Sequence, residues 1–322
     1  MTATTRRQFL NRATTFSGSA WLSTRTSAAT RQPADITLGF SLYGMKTLRP
    51  ADALRACSRI GYDAVEISLM PGWPTEPKRL TIDDRRTLRK QLNELGLTLP
   101  AVMENLILVV DDARHAINRD RLKTAAELAH DLSPDRAPVI ETILGGRPDQ
   151  WEHIKNQMVD RLGAWAEVAA AAKIVIAIKA HVGGAVHTPE AAQWLRRQVD
   201  HPSIRLVYDY SHFALRRLSL ADTLRTMLTD TVFIHVKDAR GDAKHVKFLL
   251  PGQGDVDYVD YFKRIKAAGY RGCVAVEVSG QIHGRPGYDA IDAATQSYAH
   301  LAPAMENAGI TRRRSPTRPN RP

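Results

Sequence analysis

Cysteine is nearly absent from this chain. Cys57 and Cys273 are the only two, which excludes a disulfide framework. Cys273 opens a predicted buried strand, where a packed thiol is expected. Long apolar runs are absent as well: no stretch approaches the roughly 18 residues that a membrane-crossing helix requires. The first strand-like run ends in Ser41-Leu42-Tyr43-Gly44 and not in a G-x-G-x-x-G turn, so the phosphate loop of a dinucleotide-binding sheet is missing. Acidic residues are missing from both ends. Residues 1–33 carry Arg6, Arg7, Arg12, Arg25 and Arg31, and residues 311–322 carry Arg312, Arg313, Arg314, Arg318 and Arg321. Those arginines account for all but one unit of the +11 net charge of the 322 residues. The body between them is nearly neutral, which argues against a basic nucleic-acid groove.

The two ends read as separate from that body. Thr5-Arg6-Arg7-Gln8-Phe9-Leu10 resembles the bacterial twin-arginine export motif, and a mildly apolar stretch follows at 13–23. Residues 1–33 are therefore expected to be a signal and linker, and the protein to be exported to the periplasm. Residues 309–322, rich in Arg, Pro and Ser, are expected to be a disordered basic tail.

Residues 34–308 alternate regularly between two kinds of segment. Strands are expected at 36–42, 64–68, 97–103, 139–142, 173–178, 204–208, 232–236 and 273–278. Helices are expected at 51–60, 81–95, 113–131, 151–172, 220–228, 258–268 and 288–307. A further helix opens at Thr188-Pro189-Glu190 and runs to Val199. The caps fit: Pro50 and Pro189 suit a first helical turn, and Gly61, Gly96 and Gly269 follow helix ends. Alternation of this kind implies a parallel sheet. Eight units in one segment favour a single-domain α/β fold, a closed (β/α)8 or TIM barrel, whose active site lies at the C-terminal strand ends.

The strand ends collect ionisable residues. In chain order they are Glu66, Glu104, Glu141, Lys179 with His181, Asp209 with His212, His235 with Lys237 and Asp238, and Glu277. Burying so many such groups is costly unless they pair or bind a metal. Asp209, His235 and Glu277 are oxygen and imidazole donors of the kind that suits manganese, magnesium, cobalt or zinc.

These motifs are similar to those of the xylose isomerase-like barrels of the sugar phosphate isomerase/epimerase family, which also contains endonuclease IV. The resemblance covers roughly residues 36–308. It rests on Gly61-Tyr62-Asp63-Ala64-Val65-Glu66, on Asp209-Tyr210-Ser211-His212 as D-x-x-H, on His235-Val236-Lys237-Asp238 as H-x-[KN]-D, on Pro251-Gly252-Gln253-Gly254, and on Glu277. Exported, twin-arginine-tagged members resemble it in particular. The resemblance implies a metal set of Glu, Asp, His and Glu, with Asp209, His235 and Glu277 filling three places. Lys179 stands in the fourth, and an ammonium cannot ligate a metal. The chemistry implied is isomerase or epimerase action on a small sugar or keto-sugar: a proton is removed beside a carbonyl, and a divalent metal or Lys179 stabilises the enediolate. Glu277, Glu141 and Lys179 are then the catalytic candidates. His181, His212, Lys237, Asp238, Glu66 and Glu104 are the substrate-binding candidates. The same enediolate can expel a β-substituent, which makes a lyase or dehydratase, including one for 3-keto-glycosides. The remaining alternative is a non-catalytic sugar-binding barrel in which Lys179 replaces the metal.

Overall fold

A computed structural model describes residues 36–312. The expected signal and most of the expected tail lie outside the described residues. Eight parallel strands close into a barrel. They are β1 (Thr37–Ser41), β2 (Ala64–Ser68), β3 (Thr98–Met103), β4 (Val139–Ile143), β5 (Ile176–Lys179), β6 (Ile204–Asp209), β7 (Thr231–Val236) and, after a two-stranded hairpin, β10 (Cys273–Val276). β10 pairs with β1 from Thr37 opposite Cys273 to Phe40 opposite Val276, which closes the ring. The hairpin, β8 (Asp238–Gly241) and β9 (Val246–Leu249), pairs antiparallel beside the C-terminal end of β7. The sequence pattern did not predict it, because its four-residue strands are too short to show a clear alternation.

The helices follow the strands as expected. α1 (Pro50–Ile60), α2 (Ile82–Glu94), α3 (Asp112–Leu132), α4 (Trp151–Ala171) and α5 (Pro189–Val199) follow the first five strands. α7 (Leu220–Met227), α8 (Tyr258–Ala267) and α10 (Ala290–Asn307) complete the ring. Two single-turn helices, α6 (Tyr210–Ala214) and α9 (Gly280–His283), are too short for an apolar period to announce them. Local chemistry starts several of the long ones. Thr81 and Asp84 form a reciprocal capping box on α2, and Thr188 caps α5 ahead of Pro189. The expected tail begins later than 309: the Arg312 guanidinium donates to the Gly61 carbonyl at 3.2 Å and to the Tyr298 hydroxyl at 2.6 Å.

Both faces of the barrel strands are buried, so the strands read as apolar runs. Outward residues such as Leu38, Phe40, Ile176, Ile178 and Tyr208 meet the helices in one large core. Inward residues form a second, smaller cluster that includes Ala64, Ala101, Ala177, Val207, Phe233 and Ala275. Four alanines in it let the strands close tightly. Gly39 belongs to this inner face: a Cβ there would lie 2.6 Å from Cys273 Sγ and 3.3 Å from the Ala64 carbonyl.

Two glycine substitutions should therefore act with opposite sign. Gly39→Val overpacks the barrel and should lower stability by about 1–3 kcal/mol. Gly163→Ala lies within α4 and meets nothing within 4 Å, so it should raise stability by about 0.5–1 kcal/mol. Urea denaturation of the two variants checks both signs.

Candidate active site

The strand period builds the site. Side chains on one strand face the same way every second residue. Two residues beyond the inward positions 64, 139, 177, 207, 233 and 275 stand Glu66, Glu141, Lys179, Asp209, His235 and Glu277. All six are buried. The barrel interior thus changes from a small apolar floor to a charged layer at its C-terminal end. Lys237, two beyond His235, joins that layer.

Lys179 lies at the centre. Its ammonium donates to Glu277 Oε1 at 2.9 Å and to His235 Nδ1 at 3.0 Å, and lies 3.1 Å from Glu141 Oε1. With an ammonium at Nδ1, the His235 ring carries its own hydrogen on Nε2, which faces Glu66 Oε2 at 3.0 Å. Lys237 donates to Asp209 Oδ2 and to Glu277 Oε2. Asp209 Oδ1 accepts from the Ser211 hydroxyl at 2.6 Å, and His212 Nε2 lies 3.4 Å from Asp209 Oδ2. His181 and His212 face each other with ring centres 4.3 Å apart. Each takes a backbone N–H on Nδ1, His181 from Gly183 and His212 from Val182. Their Nε2 atoms therefore carry the hydrogens.

The two carboxylates beside Lys179 are driven in opposite directions. Burial alone would raise both. For Glu277, Lys179 and Lys237 outweigh burial and hold it well below the ordinary carboxylate range. For Glu141, burial wins over Lys179 and pushes it up. The difference follows from the contacts: Glu277 accepts from two ammoniums, whereas neither Glu141 oxygen has a hydrogen-bond donor. Lys237 and His212 likewise outweigh burial at Asp209 and hold it down. Burial and the neighbouring His212 pull His181 down to about 3.

A cavity of about 230 Å³ reaches this layer beside β4 and β5. Lys179 and His181 line it, together with Gly145-Gly146 and Gly183-Gly184. Gly145 and Gly146 sit at φ of 74° and 73°, a region that disfavours side chains. A Cβ on Gly146 would come within 2.9 Å of Ala185. At about 30 Å³ per water, the space equals roughly eight waters, room for one hydroxylated six-membered ring.

Asp209, His235 and Glu277 each present one donor atom within 4.8 Å of the others, a buried group of the kind that holds a divalent ion. As packed, the group does not fit one. Lys179 contacts His235 and Glu277, Lys237 contacts Asp209 and Glu277, and an ion there would stand between two ammonium groups.

The family model for the xylose isomerase-like TIM barrel matches residues 54–304. The chain belongs to that family. Its relatives include an inosose dehydratase of Geobacillus kaustophilus, 25% identical over 63% of this chain and 74% of that protein. Other inosose dehydratases are matched over about half their length. Among solved structures, the IOLI protein with a bound zinc atom superposes with a TM-score of 0.71 at 21% identity, covering 84% of this chain and 99% of that one. A probable 3-DHS dehydratase, AsbF of Bacillus anthracis, gives 0.69 at 16% identity, covering 83% and 98%. At these identities the two structures speak for the fold.

Within this family barrel, most of the residues expected at the site do converge: Glu66, Glu141, Lys179, His181, Asp209, His212, His235, Lys237 and Glu277. Glu104 and Asp238 do not. Both stand at odd positions relative to the inward set, so they point out of the barrel. Glu104 pairs with Arg121 of α3 at 2.7 Å. Asp238 Oδ2 accepts from the backbone N–H groups of Gly252 and Gly254 at 2.8 and 2.7 Å, and Oδ1 from the Tyr258 hydroxyl at 3.2 Å. Asp238 thus holds the Pro251–Gly254 loop rather than a substrate.

Sequence reasoning missed the aromatic surroundings. Phe248 of the hairpin packs edge-on to His212, and the Lys237 ammonium lies 5.1 Å from its ring centre. Tyr43 stacks on Trp73 at 5.3 Å, with His283 edge-on to Tyr43. Burial and then Glu277 raise the Tyr43 hydroxyl pKa. For Tyr43 and Trp73, their positions after the first and second strands were the available signal.

A structural role for Asp238 has a clear consequence. Asp238→Ala strands two backbone donors and should cost about 3 kcal/mol in chemical denaturation, while Asp238→Asn keeps an acceptor and should cost about 1. If Asp238 bound substrate instead, stability would be unchanged and KM would rise.

Proposed function

We propose that this protein is a dehydratase of a keto-cyclitol or related keto-sugar. The observation that carries the reading is the Lys179–Glu141 pair: an ammonium that lines the cavity, 3.1 Å from a buried carboxylate of raised proton affinity. The inosose dehydratase relatives support elimination over epimerisation. The coarser statement, an enzyme acting on sugar-like molecules, stands on the family and its relatives together.

The reaction follows from the charges. Substrate enters with its carbonyl oxygen toward Lys179. That ammonium uses two N–H groups on Glu277 and His235, and its approach to Glu141 is not a hydrogen bond, so its third N–H serves the substrate oxygen. Glu141 takes the proton from the carbon next to the carbonyl. The C–H electron pair moves toward the carbonyl, and the oxygen gains negative charge beside Lys179. The pair then returns to form a C=C bond as the β-carbon–oxygen bond breaks. Protonated Glu141 returns its proton to the departing hydroxyl, giving an unsaturated ketone and water. The raised pKa of Glu141 suits both transfers. Glu277 stays ionised throughout and holds both lysines. Neutral His181 directs its Nε2–H to a ring hydroxyl.

In this scheme Glu141→Gln should lower kcat by about 10²–10⁴-fold. Activity should fall as pH drops through the Glu141 pKa, a limb lying above the ordinary carboxylate range. His181, already neutral down to about pH 3, contributes no limb near neutrality. His181→Gln should therefore raise KM without moving the profile. The direct test is mass spectrometry of keto-cyclitols and 3-keto-glycosides incubated with enzyme in D₂O. Loss of one water supports the proposal. Deuterium uptake with retained mass skeleton and an inverted centre would make the protein an epimerase. No change in any keto substrate would contradict both.

A further inference from the structure

We propose that the Lys179 ammonium is the resident cation of this site, occupying the place in which Asp209, His235 and Glu277 would otherwise hold a divalent ion. The inference concerns what holds the charged layer together and does not rest on which keto substrate is used.

Four carboxylates, Glu66, Glu141, Asp209 and Glu277, share this buried layer. Such a concentration of negative charge requires an internal counter-charge. A divalent ion is one solution, and the three-donor group has the residue types for it. Lys179 is another, and its contacts are those of a cation at a coordination centre. One nitrogen lies 2.9 Å from a carboxylate oxygen, 3.0 Å from an imidazole lone pair and 3.1 Å from a second carboxylate oxygen. The first two are hydrogen bonds and the third is an ion-pair contact; all three are longer than metal–ligand bonds of about 2.0–2.2 Å, so the groups are spread to suit an ammonium. His235 behaves as a liganding imidazole does: its far nitrogen is fixed by a carboxylate, Glu66, so the near lone pair faces the cation.

Charge accounts for the exchange. A carboxylate ligand together with a doubly charged ion contributes a net single positive charge. One lysine contributes the same. The rest of the layer therefore needs no compensating change, and Glu66, Glu141, Asp209, His235, Lys237 and Glu277 remain a coherent set around Lys179. An ammonium also does part of a Lewis acid's work, because it can donate a hydrogen bond to a developing oxyanion. It differs in one respect that can be measured: it cannot be removed by a chelator.

The test is a calorimetric titration of the full chain with zinc chloride and manganese chloride, beside the Lys179→Glu and Lys179→Met variants. Wild type should bind neither ion stoichiometrically, and its melting temperature should be the same with and without EDTA. Lys179→Glu restores a carboxylate and removes the ammonium, so it should bind one ion per chain at least a hundredfold more tightly than wild type. Its melting temperature should rise on adding that ion. Lys179→Met removes the charge and adds no ligand; it should bind less tightly than Lys179→Glu and melt below wild type without metal. Tight stoichiometric binding by wild type, abolished by Asp209→Asn, would overturn the proposal, as would a folded Lys179→Glu that takes up no ion. The wild-type titration decides the matter even if a variant does not fold.

Discussion

The ion pairing of Lys179 with Glu141 and Glu277 is the contact on which the rest of the site depends. Four carboxylates cannot share one end of a barrel without positive charge among them. Lys179 supplies it at the centre and Lys237 at the side. Together they hold Glu277 ionised; Lys179 orients His235 through Nδ1, and Glu141 is left as the one carboxylate of the layer whose oxygens have no hydrogen-bond donor. The same buried layer thus gives one carboxylate that stays charged and another that holds a proton readily. Separating two acids in this way is how a site assigns different roles to like groups.

The barrel makes that arrangement affordable. Small residues on the inner face close the strands below the charged layer, and a large apolar core outside holds the strands to the helices. Rigid strands carry the charged groups, so their spacing does not depend on loops. The loops do the variable work. Paired glycines after β4 and β5 open the cavity beside Lys179, and Asp238 ties down the Pro251–Gly254 segment. Phe248 on the hairpin covers His212 and Lys237.

Much of this was legible in the sequence. Alternating apolar runs and capped helices gave eight βα units, and the barrel followed from their number. The residues at the strand ends named most of the site. Parity could have refined it further: Glu104 and Asp238 are odd relative to the inward set, whereas Glu66, Glu141 and Glu277 are even. Strand ends were located only to within a residue or two, and one residue reverses the face. The fifth run shows this, since its strand begins at Ile176 and not at Lys173, which has φ of 54°. The hairpin and the one-turn helices left too little periodicity to detect. The partners of Asp238 and Arg312 are distant or backbone groups, which a linear pattern does not display.

The most direct measurement is anomalous diffraction from crystals grown with excess zinc, collected on both sides of the zinc edge. No anomalous peak is expected among Asp209, His235 and Glu277, and density for the Lys179 side chain should run to a nitrogen about 3 Å from Glu277 and His235. A zinc peak bonded to those three residues, with Lys179 displaced, would contradict that expectation.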